Sequence, residues 1–282
     1  MNVRELLRTY ELRANATYPR GTVKRRLSSI KRFLLFCEDN RLKADLYSLN
    51  KWIDHLVEAG FSPGTIRNYF FDVISFFDIM MIKYDEKLLE GIRKRLPRMD
   101  IGAVDYLTID EIRKFFSVID DETYRLIFGM MYAYARRLGE VLALSWKNID
   151  LKNRIITFPI LKKRQKVLSP PYKLEDWMVP ILEVMDRTDP VFEISKRACQ
   201  KAFKRYIERA GIEPKGRRLT PHILRHSRAT HLRSLGVDLD FVSKYLLLHA
   251  SYETTVNFYR GITEEEVQSL PPAYDVIFGG GK

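Results

Sequence analysis

Cysteine is scarce in this chain. Only Cys37 and Cys199 occur in 282 residues. There is no CxxC pair and no Cys/His cluster at zinc spacing, so neither a zinc finger nor a disulfide framework can be read from the sequence. Each cysteine sits in an apolar, helix-like stretch and reads as a small buried hydrophobe in a reducing, cytoplasmic setting. Long apolar runs are also missing. The longest, "FFDVISFFDIMMI", is too short to span a bilayer and contains Asp72 and Asp78. The start, "MNVRELLRTYELR", is charged throughout and unlike a signal peptide. No P-loop, GxGxxG, GxSxG or HExxH motif is present, which removes the familiar signatures of nucleotide, serine-hydrolase and zinc-protease chemistry. The acidic residues form no obvious cluster for a two-metal nuclease. Internal repeats and low-complexity tracts are absent.

What the chain has is positive charge. Lys and Arg number 48 against 36 Asp and Glu, a net charge of +12. Up to Arg98 there are 19 basic and 12 acidic residues, and after it 29 and 24, so the first third carries +7 and the larger remainder +5. Such a surface favours polyanions, nucleic acid first and an anionic membrane second.

The hydrophobic pattern is mainly helical. In "GTVKRRLSSIKRFLLFCEDN", Val23, Leu27, Ile30, Leu34 and Cys37 recur at helical spacing between lysines and arginines. "SLNKWIDHLVEAG" repeats the pattern and stops at Gly60. "SPGTIRNYFFDVISFFDIMMI" opens with Ser62 as cap and Pro63 in the first turn, and is apolar enough to be the central helix of a bundle. A shorter helix over "DEKLLEGIRKRL" ends before Pro97. Residues 97–106, "PRMDIGAVDY", lack helical periodicity and read as a linker between a helical domain at 1–96 and a second domain at 107–282. Thr108 and Glu111 then form a capping box for a new helix, followed by a long apolar helix through "YRLIFGMMYAYA" and a break around Arg136 to Gly139. "RIITFPIL" and "KVLSP", joined by "KKRQK", are the convincing strands and predict a small antiparallel sheet, with Pro159 at an edge. Helices are expected near 175–186, 195–210, 220–235, 238–248 and 251–260. For the helix near 220, Thr220 is the expected cap and Pro221 the first residue.

The residues that can carry chemistry lie after position 130: Arg137, the lysines of the sheet turn, His222 and Arg225 in "HILRH", His249 and Tyr259. His222 and Arg225 share a helix face at the start of a helix, where orphan N–H groups also favour phosphate. Two guanidiniums can clamp the non-bridging oxygens of a phosphodiester as charge builds in a pentavalent transition state. A tyrosine hydroxyl can attack phosphorus when a neighbouring base takes its proton, and a lysine can protonate the departing sugar oxygen.

In order and spacing, "ARRLGEVLAL", "HILRHSRATHL" and "LLLHASYETTVNFY" resemble the three signature boxes of the tyrosine recombinases, the phage integrase and Xer type. The resemblance covers roughly residues 106–262. It implies a DNA strand transferase that cleaves and rejoins through a covalent 3'-phosphotyrosine, with neither metal nor ATP. Arg137, ahead of "LGE", matches the first catalytic arginine and Glu140 its supporting acid. His222 matches the general base or proton shuttle, Arg225 the second phosphate-binding arginine, His249 a later phosphate-binding histidine and Tyr259 the nucleophile. Setting "SP" against the family's apolar-Pro puts the catalytic lysine at Lys162, with Lys163 and Lys166 as alternatives. His226 is expected to be structural. The chain departs from the pattern at Arg136, where an apolar residue usually precedes the arginine, so that Arg136 stands as the alternative to the favoured Arg137, and at Leu248, which replaces a common glycine.

The resemblance further implies that the N-terminal helices form a core-binding domain gripping double-stranded DNA, and that four protomers act on paired sites, with a second recombinase or accessory protein as a possible partner. No cofactor, metal or membrane is implied. The chain is expected to be too short for an additional arm-site domain, which leans towards an Xer-like role in chromosome or plasmid dimer resolution. The alternatives are the integrase of a mobile element, a type IB topoisomerase, and a DNA-binding regulator that kept the fold without catalysis. The apolar tail after Pro271 is expected to dock on a neighbouring protomer.

Overall fold

The apolar periodicity of the first third folds into five helices: α1 (Val3–Asn15), α2 (Arg20–Asp39), α3 (Leu46–Glu58), α4 (Pro63–Met80) and α5 (Glu86–Arg95). The computed structural model describes residues 3–98, 105–161, 167–238, 241–242, 246–247 and 272–279. The chain divides into two compact units, residues 1–102 and 103–282, each with its own hydrophobic core. Among the described residues no helix is long and apolar enough to cross a membrane.

In the first unit, α4 packs against α1, α2 and α3 and is the central helix that its composition predicts. Ser62 caps it by accepting the Thr65 N–H at 3.3 Å, Pro63 occupies the first turn, and Met81 ends it in the left-handed region at φ 57°. Phe70, Phe76 and Phe77 are fully buried, and Phe33 of α2 packs against Trp52 and Phe77. One acidic residue lies inside this apolar helix. Asp72 is 1% exposed, and its carboxylate accepts both head-group nitrogens of Arg25, at 2.6 and 2.7 Å, and the Ser29 hydroxyl at 2.8 Å. Part of the basic character of α2 is therefore spent on clipping α2 to α4.

The second unit contains α6 (Ile109–Ser117), α7 (Glu122–Ala133), the single turn α8 (Leu138–Val141), strands β1 (Ile149–Asp150), β2 (Ile155–Ile156), β3 (Pro159–Ile160), β4 (Val167–Leu168) and β5 (Tyr172–Lys173), then α9 (Val179–Glu183), α10 (Lys196–Arg209) and α11 (His222–Ser234). The chain is mainly helical with a small antiparallel sheet. β2 lies between β1 and β5, in the registers Ile149↔Ile156 and Ile155↔Lys173, while β3 and β4 pair separately with Pro159 opposite Leu168. The two expected strands are thus short segments of two pairings. The split occurs around Phe158, whose N–H donates to the Ser169 hydroxyl at 2.9 Å, and Pro159 has no N–H to continue the ladder.

α11 begins at His222, one residue later than its cap signal implied. Main-chain bonds from Ile223 N to Thr220 O (2.9 Å) and from Leu224 N to Pro221 O (3.2 Å) hold its first turn, with no side-chain cap. The expected helix at 175–186 is a turn at Asp176–Met178 followed by the short α9. At α6 the capping box forms as predicted: Glu111 N donates to the Thr108 hydroxyl at 3.2 Å and Thr108 N to Glu111 Oε2 at 2.8 Å. Glu111 also receives both terminal nitrogens of Arg217, at 2.8 and 2.6 Å.

The C-terminal segment 272–279 is seated on its own unit. Ala273 N donates to the carboxylate of Glu175 at 2.7 Å, Ile277 is 3% exposed, and the Phe278 ring lies 5.2 Å from that of Trp177. Trp177 in turn covers Gly129 of α7, where a Cβ atom would come within 2.4 Å of the indole. Cys37 and Cys199 are both buried and free, and burial pushes each thiol up to about 11.

Replacing Asp72 with Ala strands Arg25 and Ser29 and should destabilise the first unit by about 2–3 kcal/mol. Urea unfolding of the full chain should show this as a lower first midpoint, with faster hydrogen exchange in α2 and α4. The Arg217 guanidinium holds the Glu111 carboxyl down at about 2, below its ordinary 4.5. Its stabilising contribution is therefore complete above pH 4.5 and lost as the pH falls towards 2. The stability difference between wild type and Glu111→Gln, followed by thermal melts across that window, should shrink on acidification.

Candidate active site

The expected site residues that fall within the described structure come from the α7–α8 turn and from α11. Lys162, with its alternatives Lys163 and Lys166, and His249 and Tyr259 lie outside the described residues. α7 ends at Ala133, and the chain turns through Tyr134 to Arg137 with Ala135 at φ 48°, in the left-handed region that a residue with a Cβ seldom enters. This sharp turn separates α7 from α8 and leaves main-chain carbonyls free to accept bonds from outside the helices.

Arg137 opens α8. Its guanidinium donates to Glu140 Oε1 at 2.8 Å, and its N–H donates to the other oxygen, Oε2, at 3.0 Å. Glu140 is 1% exposed, whereas the Arg137 side chain keeps 22% of its surface. A buried carboxylate thus fixes a partly accessible guanidinium in one orientation, the arrangement needed to present a planar pair of donors to an anion.

Arg225, one turn into α11, is 1% exposed. Its terminal nitrogens donate to the carbonyls of Ala135 and Leu247. No carboxylate bonds to it among the described residues. Burial first, and then the charges of Arg137 and Arg136, push Arg225 down to about 9, so it remains protonated at neutral pH. Arg137 and Arg225 are near enough for their charges to repel, and Glu140 offsets part of this.

His222 stands at the exposed start of α11, with its ring 4.6 Å from His226 and nearly perpendicular to it. Both line a cavity of about 500 Å³ together with Asp105, Leu138, Arg218 and Thr220. His226 is half-buried, and burial followed by the Arg225 charge lowers its pKa, favouring the neutral imidazole. His226, expected to be structural, therefore shares this cavity with His222.

Arg136 is fully buried, unlike its neighbour Arg137. Its Nε–H donates to the Tyr134 carbonyl at 2.7 Å, and its guanidinium sits 5.4 Å from the Tyr172 ring centre and 5.8 Å from that of Phe158. Both Nη atoms are buried without a hydrogen-bond partner. Stacking on two rings recovers ~2 kcal/mol or somewhat more, while desolvating an uncompensated charge costs several. The group is a net electrostatic cost to the fold unless an anion is nearby.

A second buried polar cluster was not anticipated. Arg228, a further turn along α11, is 2% exposed and lies 5.6 Å from the Tyr132 ring, whose hydroxyl pairs with His231 Nδ1 at 2.8 Å. Glu175 faces Arg228 electrostatically, and burial raises the Glu175 pKa. The spacing of three between Arg225 and Arg228 carries the signal that both share a side of α11, but not that this side faces inward.

Residues 105–266 match the phage integrase family. Among curated proteins, the chain is 30% identical over 252 residues to a tyrosine recombinase XerA of Thermococcus onnurineus, covering 85% of this chain and 80% of the relative. It is 26% identical over 254 residues to a tyrosine recombinase XerC of Chlamydia pneumoniae, covering 83% and 77%. Two solved structures share the fold. The Tn1549 transposon integrase in complex with transposon right end DNA has a TM-score of 0.64 at 17% identity, covering 94% of this chain and 96% of that one. The XerH site-specific recombinase bound to difH substrate has a TM-score of 0.63 at 20% identity, covering 87% and 77%. With the match spanning more than half its length, and with Arg137 and Glu140 acting electrostatically on Arg225, this chain belongs to the phage integrase family of tyrosine recombinases.

Proposed function

We propose that the protein is a site-specific DNA recombinase of the Xer type, which cleaves and rejoins strands through a 3'-phosphotyrosine at Tyr259. The observation that carries this reading is the pairing of a buried Arg225, which among the described residues has no carboxylate partner, and an Arg137 fixed by Glu140. Together they leave a net positive charge where a phosphodiester has to be held. Arg137 and Arg225 take the non-bridging oxygens and stabilise the additional charge of the pentavalent transition state. Tyr259 attacks phosphorus and the bond to the 5' oxygen breaks. Lys162 protonates that leaving oxygen, and His222 accepts the proton of the attacking phenol or relays it. His249 contributes a further hydrogen bond to the phosphate. The ester preserves the bond energy of the phosphodiester, so the reverse attack by a 5' hydroxyl rejoins a strand without ATP and without a metal.

In this reading residues 1–96 are the core-binding domain, residues 97–106 the linker and residues 107–282 the catalytic domain. Four protomers act on two paired duplexes in the cytoplasm, in chromosome or plasmid dimer resolution. The Xer names of the relatives, aligned over about four-fifths of their lengths, support this role. The net charge of +12 supports a DNA grip made largely through phosphates.

Covalent trapping tests the reading. The full chain is incubated with a pool of supercoiled and nicked duplexes in EDTA, quenched with detergent, and the attached DNA is sequenced. A Tyr259-linked adduct at one motif is expected, absent in Tyr259→Phe and reduced by about 10²-fold or more in Arg225→Ala. Adducts scattered without sequence preference would instead identify a topoisomerase, and DNA binding with no adduct from the wild type would sink the strand-transfer reading. Duplex affinity should fall steeply with salt, with a log–log slope of about −5 or steeper.

A further inference from the structure

We propose that Arg136 is a third guanidinium of the phosphate site, a buried fixed charge that strengthens anion binding by Arg137 and Arg225 without itself touching the anion. The inference rests on the strand-transfer reading only for the source of the anion, the scissile phosphodiester. Where the chain has Arg136, the family pattern expects an apolar residue, and a leucine or methionine could fill a space between Phe158 and Tyr172 without desolvating a charge.

Three observations place the charge in the service of the site. Arg136 is fully buried, and among the described residues both of its Nη atoms lack a hydrogen-bond partner. Its Nε–H holds the Tyr134 carbonyl at 2.7 Å, one residue from the Ala135 carbonyl that receives Arg225, so Arg136 and Arg225 grip consecutive peptide units of the same turn. The positive charge of Arg136 is also felt directly at Arg225, alongside that of Arg137. Among the described residues, the carboxylate that offsets these charges at Arg225 is Glu140, already paired with Arg137. Inside a protein a charge is poorly screened, so Arg136 adds to the potential at the anion position across a gap that water would otherwise damp. Its planar head on two rings is anchored against relaxing away. Arg136 is in this sense a positioning residue: it holds the turn that presents Arg225 and supplies charge from behind the hydrogen-bonding groups.

Two substitutions separate charge from packing. Arg136→Lys keeps the charge, and Arg136→Gln removes it while retaining a polar donor for the Tyr134 carbonyl. The first measurement is binding of inorganic sulfate to the full chain, read as thermal stabilisation over chloride at equal ionic strength. Arg136→Lys should bind within about threefold of wild type, and Arg136→Gln about tenfold more weakly. Equal affinity for all three proteins, or an equal loss in both variants, would overturn the proposal. If Gln at 136 prevents folding, the Lys variant decides: tenfold weaker sulfate binding by a folded Lys variant overturns it.

The second measurement uses the DNA motif recovered by trapping, with an ordinary or a methylphosphonate linkage at the scissile position. The methylphosphonate lacks the negative charge on which Arg136 acts. Arg136→Gln should slow adduct formation about tenfold on the phosphodiester and less than about twofold on the methylphosphonate. Equal slowing on both would assign Arg136 to the scaffold alone. Should the wild type form no adduct, the strand-transfer reading fails by itself, while the sulfate comparison still decides whether Arg136 serves an anion site.

Discussion

Arg225 is held inside the protein by carbonyl oxygens. A buried guanidinium is ordinarily matched by a carboxylate, because a lone charge in a poorly polarisable interior is expensive. Here the acceptors are the dipoles of Ala135 and Leu247, which orient the head group but do not cancel its charge. Much of the surrounding architecture is arranged to make this possible. The left-handed Ala135 ends α7 sharply and turns its carbonyl to Arg225; α8 begins at once, so that Glu140 steadies Arg137; and α7 packs against α11, keeping the two halves of the cluster in register. Among the described residues, the charge of the cluster is left incomplete.

The two units treat buried charge in opposite ways. In the first, Asp72 is surrounded by donors and its charge is consumed in holding α2 to α4. In the second, Arg136, Arg137 and Arg225 share Glu140 as the one carboxylate near them among the described residues. Paired charge inside a helical bundle is scaffolding. In the proposed reading, charge that the described residues leave uncancelled is a site an anion would complete.

Much of this was legible in the residues. Caps at Ser62 and Thr108 are local devices, completed within three or four positions, and both form where the pattern placed them. The central role of α4 followed from its aromatic density. The family pattern picked out Arg137, His222 and Arg225, and in the structure the charge of Arg137 acts on Arg225. What escaped the sequence is non-local. Two-residue strands have too little alternation to announce their ends, and the break at Phe158 depends on a hydroxyl eleven positions away. The burial of Arg136 and Arg228 escaped the pattern, since nothing in their immediate neighbours reveals that Phe158, Tyr172 or Tyr132 will cover them. Thr220 looked like a helix cap, but a main-chain turn through Pro221 meets the same need.

Gly129 connects distant parts of this fold. A glycine within a helix ordinarily costs about 1 kcal/mol relative to alanine, and on propensity alone its replacement would be an improvement. In α7 the missing side chain is the floor on which Trp177 rests, and Trp177 is the wall against which Phe278 packs. The last turn of the chain thus takes its seating from an atom that is not there, nearly 150 residues earlier in the sequence. A methyl group at that point would act as a wedge: it would lift the indole, and the lifted indole would tilt the chain end away from α6. Backbone thickness at one helical position therefore sets how closely the C terminus lies against its own domain, a mechanical adjustment that no contact of the terminus itself discloses.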